Sequence, residues 1–169
     1  MITTNVDARL FNEMQNHNLS AEEKLIFLTI MFSPERSLIG IHKVNMDMLK
    51  VRTCIAKKKI IQALQRLKDE GLIIGDLEKS EFYTPYLLKS NPLKGGKTYK
   101  IYLEDLQRVR NRELVEIMVS EFGTVIPVTF AAALIDAGYG EFISLIDKEY
   151  SDEELNNARN AYVKQKEDK

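Results

Sequence analysis

The chain has 169 residues, 44% of them hydrophobic and 29% charged, with a formal net charge of −1. That length supports one well-packed domain with a helical appendage rather than two full domains, and no apolar run approaches the ~20 residues that would span a bilayer. The first residues, MITTNVDAR, lack the charged start, apolar centre and cleavage site of a secretory signal, so a cytoplasmic, non-membrane protein is the expectation.

The near-neutral total hides a segregation of charge. Residues 1–35 carry 2 basic and 5 acidic side chains, residues 36–112 carry 17 and 8, and residues 113–169 carry 5 and 12. A basic middle between acidic ends is the pattern of a module that faces nucleic acid while its tail faces another surface. Cys54 is the sole cysteine, and with only His17 and His42 beside it no disulfide and no metal site are expected.

In chain order, residues 1–18 hold scattered apolar positions, Val6, Leu10, Phe11 and Met14, that predict a short helix laid on the domain. Ser20 followed by Glu23 is a capping box, because each side chain can satisfy a backbone N–H left free at a helix start. A helix is predicted over 21–32, with Leu25, Ile26, Leu28, Thr29 and Phe32 as its buried stripe and Ser33-Pro34 as its stop. Residues 37–44, SLIGIHKV, read as a short strand with His42 as a polar edge residue.

Asn45 is placed to cap the next helix, which carries Met46, Met48 and Leu49 and breaks at Arg52, Thr53 and Cys54, the cysteine being read as a small packed residue in the bend. A longer helical pattern then runs to Gly71. Ile60, Ala63, Leu64 and Leu67 share one face, whereas Lys57, Lys58, Lys59, Gln62, Arg66 and Lys68 fall mostly away from it. Short helix, tight turn and long helix with a basic outer face is the layout of a helix-turn-helix, whose second helix can enter the DNA major groove. A lysine-rich outer face is equally what any solvated helix carries.

Beyond Gly71, a strand over 72–74, a polar turn and a strand over 82–88 predict a β-hairpin with Asp76, Glu78, Lys79 and Glu81 at an acidic tip. The predicted fold class is mainly α with a small β-hairpin, a winged helix-turn-helix plus a C-terminal helical extension. Residues 89–98, KSNPLKGGKT, end like a phosphate-binding loop, but Asn91 stands where the first glycine belongs and Pro92 removes an N–H. They read instead as a basic connector, Lys89, Lys94, Lys97 and Lys100, able to lie along a DNA backbone, or as a plain solvated loop.

Helices are predicted over 98–109, carrying Tyr99, Tyr102, Leu103, Leu106 and Val109, and over 111–122, carrying Leu114, Ile117, Met118 and Phe122, with Gly123 as the stop. Pro127 is read as the boundary between a domain over 1–127 and an acidic helical segment over 128–169. That segment should hold short helices over 129–137 and 141–148 and a last helix capped by Ser151 and Glu154, whose narrow stripe of Leu155, Ala158 and Tyr162 calls for packing on the domain or on a second copy.

The candidate DNA-contacting residues are Arg52, Thr53, Lys57, Lys58, Lys59, Gln62 and Arg66, with Lys94, Lys97 and Lys100 on the connector. Gln62 and Arg66 suit base contact, since both make paired hydrogen bonds to a purine edge. No Ser/His/Asp or Cys/His pairing and no ligand cluster is visible, so neither an enzyme nor a cofactor is expected.

The stretch LSAEEKL at 19–25, Ile39-Gly40-Ile41, Ala63-Leu64 with Leu67, Gly71-Leu72-Ile73 and Lys89-Ser90-Asn91-Pro92 resemble the N-terminal winged-helix domain of phage replication proteins related to DnaD, the replisome organisers. Ile101, Phe122-Gly123 and Ile126-Pro127 extend the resemblance, which covers roughly residues 19–127. It implies double-stranded DNA binding at a replication origin, a homo-oligomer (a dimer), replication proteins as partners and a phage or prophage setting in a bacterial cytoplasm. In that family a separate C-terminal helical domain engages DNA and the helicase-loading machinery, and this chain departs from the pattern after Pro127. A winged-helix transcriptional regulator dimerising on operator DNA, and a winged helix used only for protein contact, are the alternatives.

Overall fold

The computed structural model describes residues 8–33, 36–96 and 98–161. It is mainly helical with one small three-stranded antiparallel sheet, and it divides into two compact units, Met1–Arg36 with Gly40–Ser90, and Ser37–Ile39 with Asn91–Lys169. Val6, Pro34, Lys97 and Tyr162, all used in the sequence reading, lie outside the described residues.

The first unit runs α1 (Ala8–Asn16), α2 (Ala21–Met31), β1 (Ile41–Lys43), α3 (Met46–Thr53), α4 (Lys57–Asp69), β2 (Ile74–Asp76), β3 (Glu81–Tyr83) and α5 (Pro85–Ser90). Each start that has a side-chain cap begins where the sequence predicts. The Ser20 hydroxyl accepts from Glu23 N–H while Glu23 Oε2 accepts from Ser20 N–H at 2.7 Å, and Asn45 Oδ1 accepts from both Asp47 and Met48 N–H. At the far end of α4, Gly71 adopts φ +71°, Gly71 N–H donates to Lys68 O, and Leu72 N–H donates to Leu67 O, both at 2.9 Å. This paired arrangement closes the last carbonyls of the helix and brings buried Leu72 back over buried Leu67.

That closure corrects the predicted strand over 72–74. Leu72 and Ile73 both give their N–H to Leu67 O, so strand pairing begins only at Ile74. In the sheet, β3 is central: Ile41 faces Tyr83 on one side and Ile74 faces Tyr83 on the other. Gly75 has φ +157°, and a Cβ there would sit 2.2 Å from Glu81 O, so the β2 and β3 backbones approach more closely than any side chain permits. Glu81, expected at the exposed tip, is buried in β3 opposite Lys43 and Asp76. The predicted strand over 82–88 is cut after Tyr83 because Pro85 opens α5, where its missing N–H costs nothing. The strand over 37–44 shortens to three residues behind a turn in which Gly40 has φ +73°.

The core of this unit joins α1, α2, α4 and the sheet, with Ile26, Phe27, Ile60, Leu64, Leu67 and Phe82 almost wholly buried. In α2 the buried stripe is Ile26, Phe27, Ile30 and Met31; Leu25 and Phe32, assigned to it from the sequence, are exposed. Nearly every position from Leu25 to Phe32 is apolar, so no periodicity distinguishes the face that packs on α3 and α4. Cys54 is exposed rather than packed, and with φ 57° it ends α3 in a left-handed residue.

The second unit consists of α6 (Tyr99–Arg108), α7 (Arg112–Phe122), α8 (Val128–Asp136) and α9 (Asp152–Asn160), with 3-10 turns at Gly123–Val125 and Gly140–Leu145. The division of the chain falls after Ser90, not at Pro127, because α8 packs on α6 and α9 within one unit. Phe130 through Leu134 are wholly buried, and Tyr102 meets the Phe130 ring edge-on at 5.2 Å. Gly123 does not stop α7 through a positive φ; at φ −48° it continues into a 3-10 turn, where a Cβ would lie 2.4 Å from Leu145 O. The predicted helix over 141–148 is the other 3-10 turn, held by Arg112, which pairs with Glu141 and lies 4.5 Å from the Tyr139 ring centroid.

The last helix has its Ser151–Glu154 capping box, and Ala158 on its stripe is buried. Arg159 grips Asp136 with Nε at 2.7 Å and a second nitrogen at 2.8 Å, and the Tyr99 hydroxyl donates to the same carboxylate at 2.5 Å. The Arg159 hydrogen bonds hold Asp136 below the usual carboxylate range, while burial and the adjacent Asp136 push Tyr99 up to about 12.

Two outcomes follow from this packing. Leu64→Ala should cost roughly 2 to 5 kcal/mol in denaturant unfolding, through lost burial and a residual cavity. Because the folded pKa of Asp136 is depressed, its contribution is present above the ordinary aspartate range and disappears as pH falls through the lowered value. Asp136→Asn should therefore cost about 1 kcal/mol near neutral pH, a partly exposed pair being discounted for solvent screening, and that cost should shrink as pH falls through the lowered Asp136 pKa.

Candidate nucleic-acid interface

The residues proposed from the sequence for DNA contact are divided by the fold between the two units. Arg52, Thr53, Lys57, Lys58, Lys59, Gln62 and Arg66 belong to the first unit, on α3, the turn and α4; Lys94 and Lys100 belong to the second. Lys97 lies outside the described residues.

On α4 the apolar stripe Ile60, Ala63, Leu64 and Leu67 is buried, and this burial turns Lys57, Lys58, Lys59, Gln62, Arg66 and Lys68 outward, where all are exposed. The start of the helix is electrostatically unusual. Ala56 at the cap position offers no side-chain hydrogen bond, and the first turn holds three lysines and no acid. Backbone N–H groups left free at that end carry the positive pole of the helix dipole, so stability alone would favour carboxylates there. Three cations against that pole make a locally positive surface that an anionic partner would relieve.

The cations on α4 are not equivalent. Lys59 Nζ lies 2.6 Å from Glu22 Oε1 on α2, and an Arg66 guanidinium nitrogen lies 2.7 Å from Glu70 Oε1. Glu70 is shared, because His17 Nδ1 also reaches its other oxygen at 2.7 Å, and that hydrogen bond, with Arg66 behind it, lowers the Glu70 pKa. Among the described residues, Lys57, Lys58 and Lys68 have no carboxylate within ion-pair distance.

Two other proposed contacts are engaged elsewhere. Thr53 is buried; its hydroxyl donates to Leu49 O at 2.7 Å and accepts from Ile55 N–H at 3.3 Å, so it shapes the α3–α4 turn and presents nothing to a ligand. Arg52 is exposed, and one guanidinium nitrogen donates to the Ser33 hydroxyl at 3.3 Å across the end of α2. In the second unit, Lys94 is exposed, while its backbone N–H and carbonyl are both held by the Tyr102 hydroxyl. Lys100 is exposed and pairs with Glu104 at 3.6 Å.

Arg52 and Ser33 border a small cleft between α2, β1 and α3 that His42 also lines. The sequence placed His42 at a polar edge; the structure buries it, with Nε2 at 3.4 Å from the Thr84 hydroxyl and Nδ1 without a partner among the described residues. Burial, assisted by the nearby Arg36 charge, lowers its pKa to about 4, so the ring is neutral near pH 7. The acidic pairing of Lys59 and Arg66 is what sequence reasoning missed. Glu22 is 37 residues from Lys59, and only the packing of α2 on α4 brings them together.

Among the described residues, no group of three or more His, Cys, Asp or Glu side chains is arranged to hold a metal, and no helix is long and apolar enough to cross a membrane. No family model matches this chain, and neither a curated protein nor a solved structure matches it significantly.

Proposed function

We propose that the chain is a sequence-specific binder of duplex DNA whose first unit is a winged helix, with α3 and α4 as the helix-turn-helix and β2–β3 as the wing. Supporting this reading are the element order α2, β1, α3, α4, β2, β3 and the sheet order β1-β3-β2. The observation that carries it is the exposed α4 face, where Lys57 and Lys58 stand at the positive end of the helix and Lys68 further along the same face, without described acidic partners. Phosphate groups supply the counter-charge for these three lysines.

The wing contributes little to phosphate contact on this reading. Its turn carries Asp76, Glu78 and Lys79, and the Asp76 carboxylate is turned back to accept Glu78 N–H at 2.8 Å. Affinity then rests on α4. The resemblance to DnaD-related phage proteins directs the proposal toward initiation of DNA replication, with origin DNA as target and replication proteins as further partners. Repeated or two-fold sites would require two copies of α4, so dimerisation is part of the proposal.

Replacing Lys57, Lys58 and Lys59 together by alanine should weaken binding to duplex DNA roughly ten-fold or more, across unrelated sequences, in a gel-shift titration of the full chain. The thermal unfolding midpoint should stay level or rise, since three positive charges leave the positive pole of α4. Binding as tight as that of the unsubstituted chain would remove α4 from the interface.

A further inference from the structure

Ile61 is the exception on the outer face of α4. It is a large apolar side chain, 42% exposed, on a surface otherwise made of charged and amide groups. At helical spacing its neighbours are Lys57 one turn before, Lys58 three residues before, Gln65 one turn after and Lys68 two turns after. These lysines are the ones with no described carboxylate partner. The opposite flank of the same face is the one closed by acids, with Lys59 on Glu22 and Arg66 on Glu70.

A polyanion approaching α4 is therefore drawn toward the Ile61 flank, and the first contact it makes between the lysine charges is apolar. In the major groove the apolar feature that distinguishes one base pair from another is the 5-methyl group of thymine. We infer that Ile61 is a residue through which α4 reads sequence, by packing its side chain on a thymine methyl. This deepens, and rests on, the duplex-binding reading of α4. Of the two residues favoured for base contact from the sequence, Arg66 has its guanidinium on Glu70 while Gln62 stays exposed on the outer face, so Ile61 adds an apolar contact to what Gln62 offers. Ile61 lies in the second turn of α4, within the N-terminal part of a recognition helix that reaches base edges.

The chemistry permits a clean test, because deoxyuridine lacks only that methyl group and pairs as thymine does. A binding site is first selected from random duplexes with the full chain, and each thymine in it is then replaced singly by deoxyuridine. Burying one methyl group corresponds to about a four-fold change in affinity. The expected result is one position, or one per half-site, at which the replacement weakens the unsubstituted chain about four-fold and leaves Ile61→Ala unaffected, the variant binding the thymine duplex about four-fold more weakly with an unchanged unfolding midpoint. Equal sensitivity of the two proteins at every thymine, or insensitivity of both, overturns the inference while leaving duplex binding in place. Failure to select any duplex, or selective binding of Ile61 to an acidic protein surface, overturns both the inference and the reading beneath it.

Discussion

The burial of one stripe on α4 is the constraint on which the rest of the first unit depends. Ile60, Leu64 and Leu67 are fully removed from solvent, and Ala63 nearly so, against a core supplied by α1, α2 and the sheet. Each of the three larger side chains is worth roughly 1.5 to 3 kcal/mol of burial, far more than any surface charge on the same helix can oppose. The stripe therefore decides the rotation of α4, and the charged residues take whatever face remains. Gly71 fixes the other end: its positive φ lets Leu72 return over Leu67, which points the chain into β2 and β3. A helix presented at a set angle beside a short sheet is the consequence.

Charge then divides what packing leaves outside. Glu22 and Glu70, anchored on α2 and at the end of α4, neutralise Lys59 and Arg66 along one flank, while Lys57, Lys58 and Lys68 remain without described acidic partners along the other. Two surface pairs of this kind contribute little stability. Their larger effect is on direction, since they confine the uncompensated positive charge to the flank that also carries Ile61. In the second unit a similar economy of contacts holds α9: Asp136 accepts from both Arg159 and Tyr99, so a single carboxylate ties α6, α8 and α9 together. The apolar stripe expected to pack on the domain or on a second copy is partly covered by α8, with Ala158 buried and Leu155 half-buried.

The elements that could be read from the chain are those with their own chemical punctuation. Ser20 with Glu23, Asn45, Gly71, and Ser151 with Glu154 mark helix ends by side-chain hydrogen bonds or by backbone freedom, and all four act as their residue types require. The strands carry no such marks. At three residues each they are too short for an alternating pattern, and Leu72 and Ile73 look like strand residues while their N–H groups close a helix. Tyr83-Thr84-Pro85-Tyr86 reads as strand by composition, yet Pro85 begins α5; a proline after threonine at a helix start was the available signal. The lysines of the candidate interface were legible as a periodic outer face. Their unequal pairing was not, because it depends on Glu22 across the α2–α4 contact, nor was the withdrawal of Thr53 into the turn.

Duplex DNA affinity of the full chain as a function of salt tests the central claim most directly, because it counts phosphate contacts without assuming a target sequence. With Lys57, Lys58 and Lys68 as the uncompensated cations, the account predicts a linear fall of log affinity with log salt and a slope of about −3 or steeper, near −0.9 for each phosphate neutralised. A slope near zero, or no measurable binding to any duplex at low salt, would contradict it.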